Sequence, residues 1–135
     1  MSDGVIIKTI YLKARPEKVW RYLTEREKLA RWFHETSRDL TEPSPFEYYR
    51  HDDEAEDRKL MWGDVLVVEP PVKLVHTFTH QWLKGVVTEV TWELTPIETG
   101  TQLTMTHTGI KTLDELGGHD SGWDQHLTRL RNIVN

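Results

Sequence analysis

Cysteine is absent from the 135 residues, which excludes disulfide bonds, a thiolate nucleophile and thiolate-held metal sites, and fits a reducing compartment. Basic charge is in deficit too. Seventeen lysines and arginines stand against 22 carboxylates, for a net charge of −5, so phosphate backbones and anionic lipid find little to attract them. No basic stripe offsets the deficit, and nucleic acid is not expected as a partner. No apolar run approaches the roughly 20 residues of a membrane span. The first residues, MSDGVIIK, have neither the basic leader nor the apolar length of a signal peptide. These absences lead to the expectation of a cytoplasmic protein without membrane insertion. The length fits a single domain over residues 1–135, large enough to bury a core and too short for two ordinary ones.

What is present is organised around the C-terminal stretch, residues 119–134. Trp123, Leu127, Leu130 and Val134 recur at i, i+4, i+7 and i+11, with His126 and Ile133 beside them, which defines one stripe of an amphipathic helix. Gln125, Thr128, Arg129, Arg131 and Asn132 fall on the other face. Gly117 and Gly118 are expected to break the chain ahead of this helix, with Asp120 or Ser121 as its cap. A helix of this kind needs a broad apolar surface to lie on.

The middle of the chain supplies that surface at the period of a sheet. Residues 5–13 are β-branched and aromatic, as in a strand, although apolar side chains occur at both parities and leave the inward face open. Pro16 suits the first turn of a helix, and Val19, Trp20 and Leu23, then Leu29, Trp32 and Phe33, predict two short helices joined near Thr24, which would cap the second with Glu27 three residues on. Short strands are expected at 37–40 and 46–50, around a turn containing Pro43 and Pro45. A long strand at 60–69 ends at Pro70 and Pro71. The next, 74–80, places Leu74, His76, Phe78 and His80 on one face. In 86–94, Thr88, Val90, Trp92 and Leu94 alternate with Glu89, Thr91 and Glu93, as in an antiparallel strand with one dry side. After a turn at 96–100, Leu103, Met105 and His107 alternate with polar residues. The order is therefore strand, two short helices, about six strands and a long helix, which reads as an α+β layer protein: a curved antiparallel sheet covered on one face by helix. Unfilled volume between such a sheet and helix is where a small molecule can lodge.

Several segments in this order resemble one family. They are residues 14–20 (ARPEKVW) with Leu23 and Thr24, 29–33 (LARWF), 63–71 (GDVLVVEPP) running into 74–78 (LVHTF), 90–94 (VTWEL), 100–109 (GTQLTMTHTG), and Gly122 and Trp123 with Leu127 and Leu130. Together they are similar to homologues of the heat-shock protein 90 ATPase activator, within the helix-grip superfamily that includes START domains, the birch-pollen allergen and aromatic polyketide cyclases. The resemblance implies about seven antiparallel strands wrapped around the C-terminal helix, with the two short helices closing one end. The chain departs from the family at 43–45, where PSP replaces a frequent glycine pair. It also departs in starting at the first strand, whereas the eukaryotic activators carry a separate N-terminal domain.

Chemistry-bearing residues are sparse. Residues 51–57 (HDDEAED) form an acidic run, but they lack the spacing and turn glycine of a calcium loop, so no metal is expected there. Ser37, Ser44 and Ser121 sit in no nucleophile elbow, and Gly117 with Gly118 lacks the lysine of a phosphate loop. His76, His80, His107 and His126 can converge on the helix side of the sheet, and His76 and His107 are the candidates for acid–base work. The expected ligand-binding set is Phe46, Tyr48, Trp62, His76, Phe78, Trp92, Met105, His107, Trp123 and Leu127, large flat side chains that offer apolar walls with polar edges. The leading expectation is a binding domain for a small hydrophobic molecule, monomeric or weakly dimeric, without a cofactor. Two alternatives are a contact with a heat-shock protein 90 chaperone and a cyclase- or hydrolase-type enzyme using a cavity histidine.

Overall fold

In a computed structural model that describes residues 4–49 and 59–135, the chain runs β1 (Gly4–Leu12), α1 (Pro16–Thr24), α2 (Arg26–Trp32), β2 (Pro45–Tyr49), β3 (Lys59–Glu69), β4 (Lys73–His80), a 3-10 turn (Gln81–Leu83), β5 (Thr88–Ile97), β6 (Gly100–Ile110) and α3 (Leu113–Val134). The acidic run expected at 51–57, and Arg50 at the end of the second strand, lie outside the described residues. The sheet is antiparallel throughout, in the order β1-β6-β5-β4-β3-β2. Among the described residues it has six strands where about seven were expected.

The missing strand is the one expected at 37–40. Thr36 makes only an isolated bridge to Tyr48, and Leu40 turns inward, its N–H donating to the Thr24 carbonyl at 2.7 Å. That N–H ties the segment to α1, and no ladder forms. Asp39, in the same segment, accepts from the Arg26 N–H at 2.8 Å and so caps α2. The cap expected from Thr24 does not form, because its hydroxyl donates back to the Trp20 carbonyl at 2.9 Å.

α3 is longer than its apolar period suggested. It starts at Leu113, capped by Thr112, whose hydroxyl accepts from the Glu115 N–H, and it runs through Gly117 and Gly118 without a break. A glycine inside a helix costs about 0.5–1 kcal/mol relative to alanine, which weakens a helix but does not stop one that is capped and packed. Trp123, Leu127, Leu130 and Val134 are buried against the sheet as the stripe predicted.

β1 resolves the parity that its sequence left open. Ile6 and Leu12 are buried and Ile10 is partly so, while Val5, Ile7 and Tyr11 are exposed. Lys8 shares the inward parity and stands at the edge where sheet meets helix, its ammonium 2.7 Å from Asp120 and 3.0 Å from Asp124 of α3. The sheet bends where β3 crosses β4. The register shifts between Val65 and Val67, and at Gly63 the Thr77 carbonyl comes so close that no Cβ would fit, a bulge-and-glycine arrangement that adds curvature. Curvature brings β3 and β4 up beside α3. Among the described residues, no helix is long and apolar enough to cross a membrane.

Because Leu130 is fully buried and Ile7 is two-thirds exposed, the two positions separate core from surface. Leu130→Ala should lower the unfolding free energy by about 2–5 kcal/mol, and Ile7→Thr should change it by no more than about 0.5 kcal/mol. Urea denaturation of both variants checks the assignment of faces.

Candidate functional site

The inward faces of β4, β5 and β6 carry two histidines whose hydrogen bonds fix their protonation. An indole N–H can only donate. Trp92 Nε1 donates to His76 Nε2 at 3.0 Å, so that nitrogen is a lone pair and His76 Nδ1 carries the hydrogen, which it donates to the Thr77 carbonyl at 2.9 Å. Trp123 Nε1, on α3, donates to His107 Nδ1 at 2.9 Å. His107 Nε2 therefore carries the hydrogen and donates to the Thr88 hydroxyl at 2.7 Å, which in turn donates to the Phe78 carbonyl. Both imidazoles are buried and fully partnered as neutral rings.

Adding a proton to either would point an N–H at an indole N–H. Burial pushes His76 down to about 4, against the pull of the Thr77 carbonyl. Burial first, and then the neighbouring His119, His76 and His80, push His107 down to about 3. Neither lone pair is free to take a proton from a substrate. As general bases the two candidates have no open nitrogen.

The open volume lies to one side of this pair. A cavity of about 390 Å³ is lined by Phe33 and His34 beyond α2, Met61 of β3, Phe78 and His80 of β4, Trp82 of the 3-10 turn, and Glu115, Gly118, His119, Gly122, Trp123 and His126 of α3. The α3 positions fall at i, i+3, i+4, i+7, i+8 and i+11, a single helix face. That face begins four residues before the start expected for the helix, which is why Glu115 and Gly118 escape a reading of the sequence that starts the helix at His119.

Aromatic rings build the walls. Phe33 stacks on Trp123 at 5.5 Å and meets Tyr48 edge-on at 4.9 Å, and Phe78 stands edge-on to His107 and His119. Two more imidazoles are joined at the cavity. His119 Nδ1 donates to the Glu115 carbonyl at 2.6 Å, and when the ring is neutral its Nε2 is a lone pair that accepts from His80 Nε2 at 3.1 Å. His80 Nδ1 is then a lone pair as well, enclosed and without a hydrogen-bond partner among the described residues. Burial, followed by His119, pushes the His80 pKa down, opposed by the charge of Glu115. Across the cavity, His126 Nδ1 and Arg129 Nη1 lie 3.3 and 3.2 Å from the Trp32 carbonyl at the end of α2.

Of the ligand-binding residues expected from sequence, Phe78 and Trp123 line this cavity. His76, Trp92, Met105, His107, Leu127, Phe46 and Tyr48 are buried in the core behind it. Trp62 faces a separate hollow with Arg38, Phe46 and Asp64, its ring 4.5 Å from the Lys59 ammonium. His80 and His126, read from the sequence as inward-facing histidines, reach the cavity. His34, Met61, Trp82 and His119 have no periodic signal that marks them, and the helical spacing of Phe33 marked it only as core, because the folding of four separate elements brings these residues there. Among the described residues no group of three His, Asp or Glu side chains is arranged to hold a metal ion.

The sequence pattern of the family described as Activator of Hsp90 ATPase homolog 1-like protein matches residues 13–135. Among solved structures, the protein MLL2253 from Mesorhizobium loti is 26% identical, with a TM-score of 0.83 and coverage of 97% of this chain and 96% of that one. Protein BH1534 from Bacillus halodurans is 26% identical, with a TM-score of 0.75 and full coverage of both chains. CalU16 from Micromonospora echinospora is 26% identical, with a TM-score of 0.74, covering 97% of this chain and 74% of that one. A search of curated proteins finds no match.

The buried neutral histidines make stability depend on pH. Their folded pKa values lie below the ordinary 6.5, so the unfolded chain binds more protons than the folded one as pH falls through 6.5. The stabilisation is complete above about 6.5 and is lost progressively toward pH 4, at roughly 2 kcal/mol per histidine between pH 7.5 and 5. His107→Asn keeps an acceptor for Trp123 and cannot titrate. It should lower stability at pH 7.5 and flatten the dependence between pH 7.5 and 5, measured by urea unfolding at each pH; a wild-type curve that is flat over that window would contradict the assignment.

Proposed function

The chain belongs to the Activator of Hsp90 ATPase homolog 1-like family, and from that premise we propose that it is a binding domain for a small hydrophobic molecule, held in the cavity between the sheet and α3. The observation that carries this reading is the pair Gly118 and Gly122. Both stand in the interior of α3 on the cavity face, and a Cβ at either position would meet nothing within 4 Å among the described residues. Alanine there would stabilise the helix by about 0.5–1 kcal/mol, and no packing among the described residues forbids it. Glycine at these points keeps volume open, which a binding site uses and a packed core does not.

The aromatic lining suits the same role. Phe33, Phe78 and Trp123 are nearly buried at the cavity wall, while Trp82 is more than half exposed beside them. A volume of about 390 Å³ falls in the range of small-molecule sites, roughly 300–1,000 Å³. Acid–base catalysis by His76 or His107 is not part of this reading, since an indole N–H occupies the lone pair of each.

An uncharged fluorescent probe, N-phenyl-1-naphthylamine, should bind the wild-type protein with enhanced emission. Gly122→Leu fills the cavity from the helix side and should weaken that binding by about tenfold or more, with the circular-dichroism spectrum unchanged. Equal binding by the two proteins, or none by the wild type, would overturn the proposal.

A further inference from the structure

We infer that the ligand of this cavity is an apolar molecule carrying a cationic head, of the alkylammonium class, seated against the aromatic rings with its charge toward Glu115. This inference rests on the binding role proposed above and adds the charge of the ligand to it.

Three N–H groups at the cavity are already committed. The indole N–H of Trp123 is spent on His107, the Nδ1 hydrogen of His119 on the Glu115 carbonyl, and the Nε2 hydrogen of His80 on His119. None of these three hydrogens is left for a guest. An anion needs N–H donors or a fixed positive charge, and no lysine or arginine is among the described lining residues. Glu115 is the carboxylate of the lining. Half-buried in the first turn of α3, it sits close enough to His80 for its charge to act on that ring.

Carboxylates gather along the first half of α3, at the opposite end of the cavity face from Arg129. Asp114 lies beside Glu115 in that first turn, the only lysine salt-bridged to α3 among the described residues, Lys8, is engaged by Asp120 and Asp124, and the chain as a whole bears −5. An ammonium group that reaches the face of the exposed Trp82 ring is attracted by its quadrupole and by the carboxylate together. Such contacts contribute about 0.5–2 kcal/mol, more as water is excluded.

Three probes with the same ten-carbon tail separate charge from greasiness: decyltrimethylammonium, decanol and decanoate, each used below its micelle concentration to displace N-phenyl-1-naphthylamine at pH 7.5. The ammonium should bind roughly three- to tenfold more tightly than decanol, and decanoate more weakly than either. Glu115→Gln leaves the main-chain carbonyl that holds His119 in place, so it should bring the ratio of ammonium to decanol affinity down toward one. Decanol or decanoate binding as tightly as the ammonium, or an ammonium preference that survives Glu115→Gln, would overturn the charge assignment and leave the hydrophobic cavity standing. Binding by none of the three would overturn both.

Discussion

The hydrogen bond from the Trp123 indole to His107 is the contact on which the architecture turns. It is the polar tie between the buried face of α3 and the centre of the sheet, and it works only if the imidazole is neutral with its hydrogen on Nε2. The Thr88 hydroxyl enforces that tautomer from the other side and passes the bond on to the Phe78 carbonyl. A second indole, Trp92, holds His76 in the same manner. Each of these buried polar atoms has one partner of the right kind, so the desolvation that would make an unpaired imidazole costly is offset. The arrangement also fixes the rotation of α3 about its own axis, because a large side chain with a single donor can reach its acceptor in only one orientation.

With that rotation set, one helix face does two kinds of work along its length. In the C-terminal half, Leu127, Leu130 and Val134 close down on the sheet and are buried. In the N-terminal half the same face carries Glu115, Gly118, His119 and Gly122, and the sheet does not close over it. Trp123 is the boundary between the two. The curvature introduced around Gly63 lifts β3 and β4 away from a flat path, so Met61, Phe78 and His80 form the far wall of a space that the helix does not fill.

The histidines divide along the same line. His76 and His107 are structural, each with both nitrogens committed inside the core, and burial holds both well below the ordinary range. His80 and His119 belong to the cavity, joined Nε2 to Nε2 and anchored to the helix through the Glu115 carbonyl. That anchoring commits the N–H groups of this pair, and Glu115 is the carboxylate of the described lining beside them.

The α+β class, the apolar stripe of Trp123, Leu127, Leu130 and Val134, and the inward face of His76, Phe78, Val90, Trp92, Met105 and His107 were all decided by the sequence, because period-3.6 and period-2 patterns are local and leave their trace in adjacent residues. The family was legible for a related reason, since its segments recur in order along the chain. The start of α3 was not legible: Gly117 and Gly118 read as a break, and a capping hydroxyl at Thr112 with tertiary packing overrode their low propensity. Nor was the strand expected at 37–40, where Leu40 found a better partner in the Thr24 carbonyl than in a neighbouring ladder. Whether a buried aromatic faces a void or a neighbour depends on what the rest of the chain brings up against it. That is why Phe78 and Trp123 border the cavity while Trp92, Phe46 and Tyr48, with the same chemistry and the same alternation, do not. The tertiary structure alone decided the cavity, because its walls come from the segment after α2, two strands, a 3-10 turn and a helix far apart in sequence, and no periodicity spans the gaps between them.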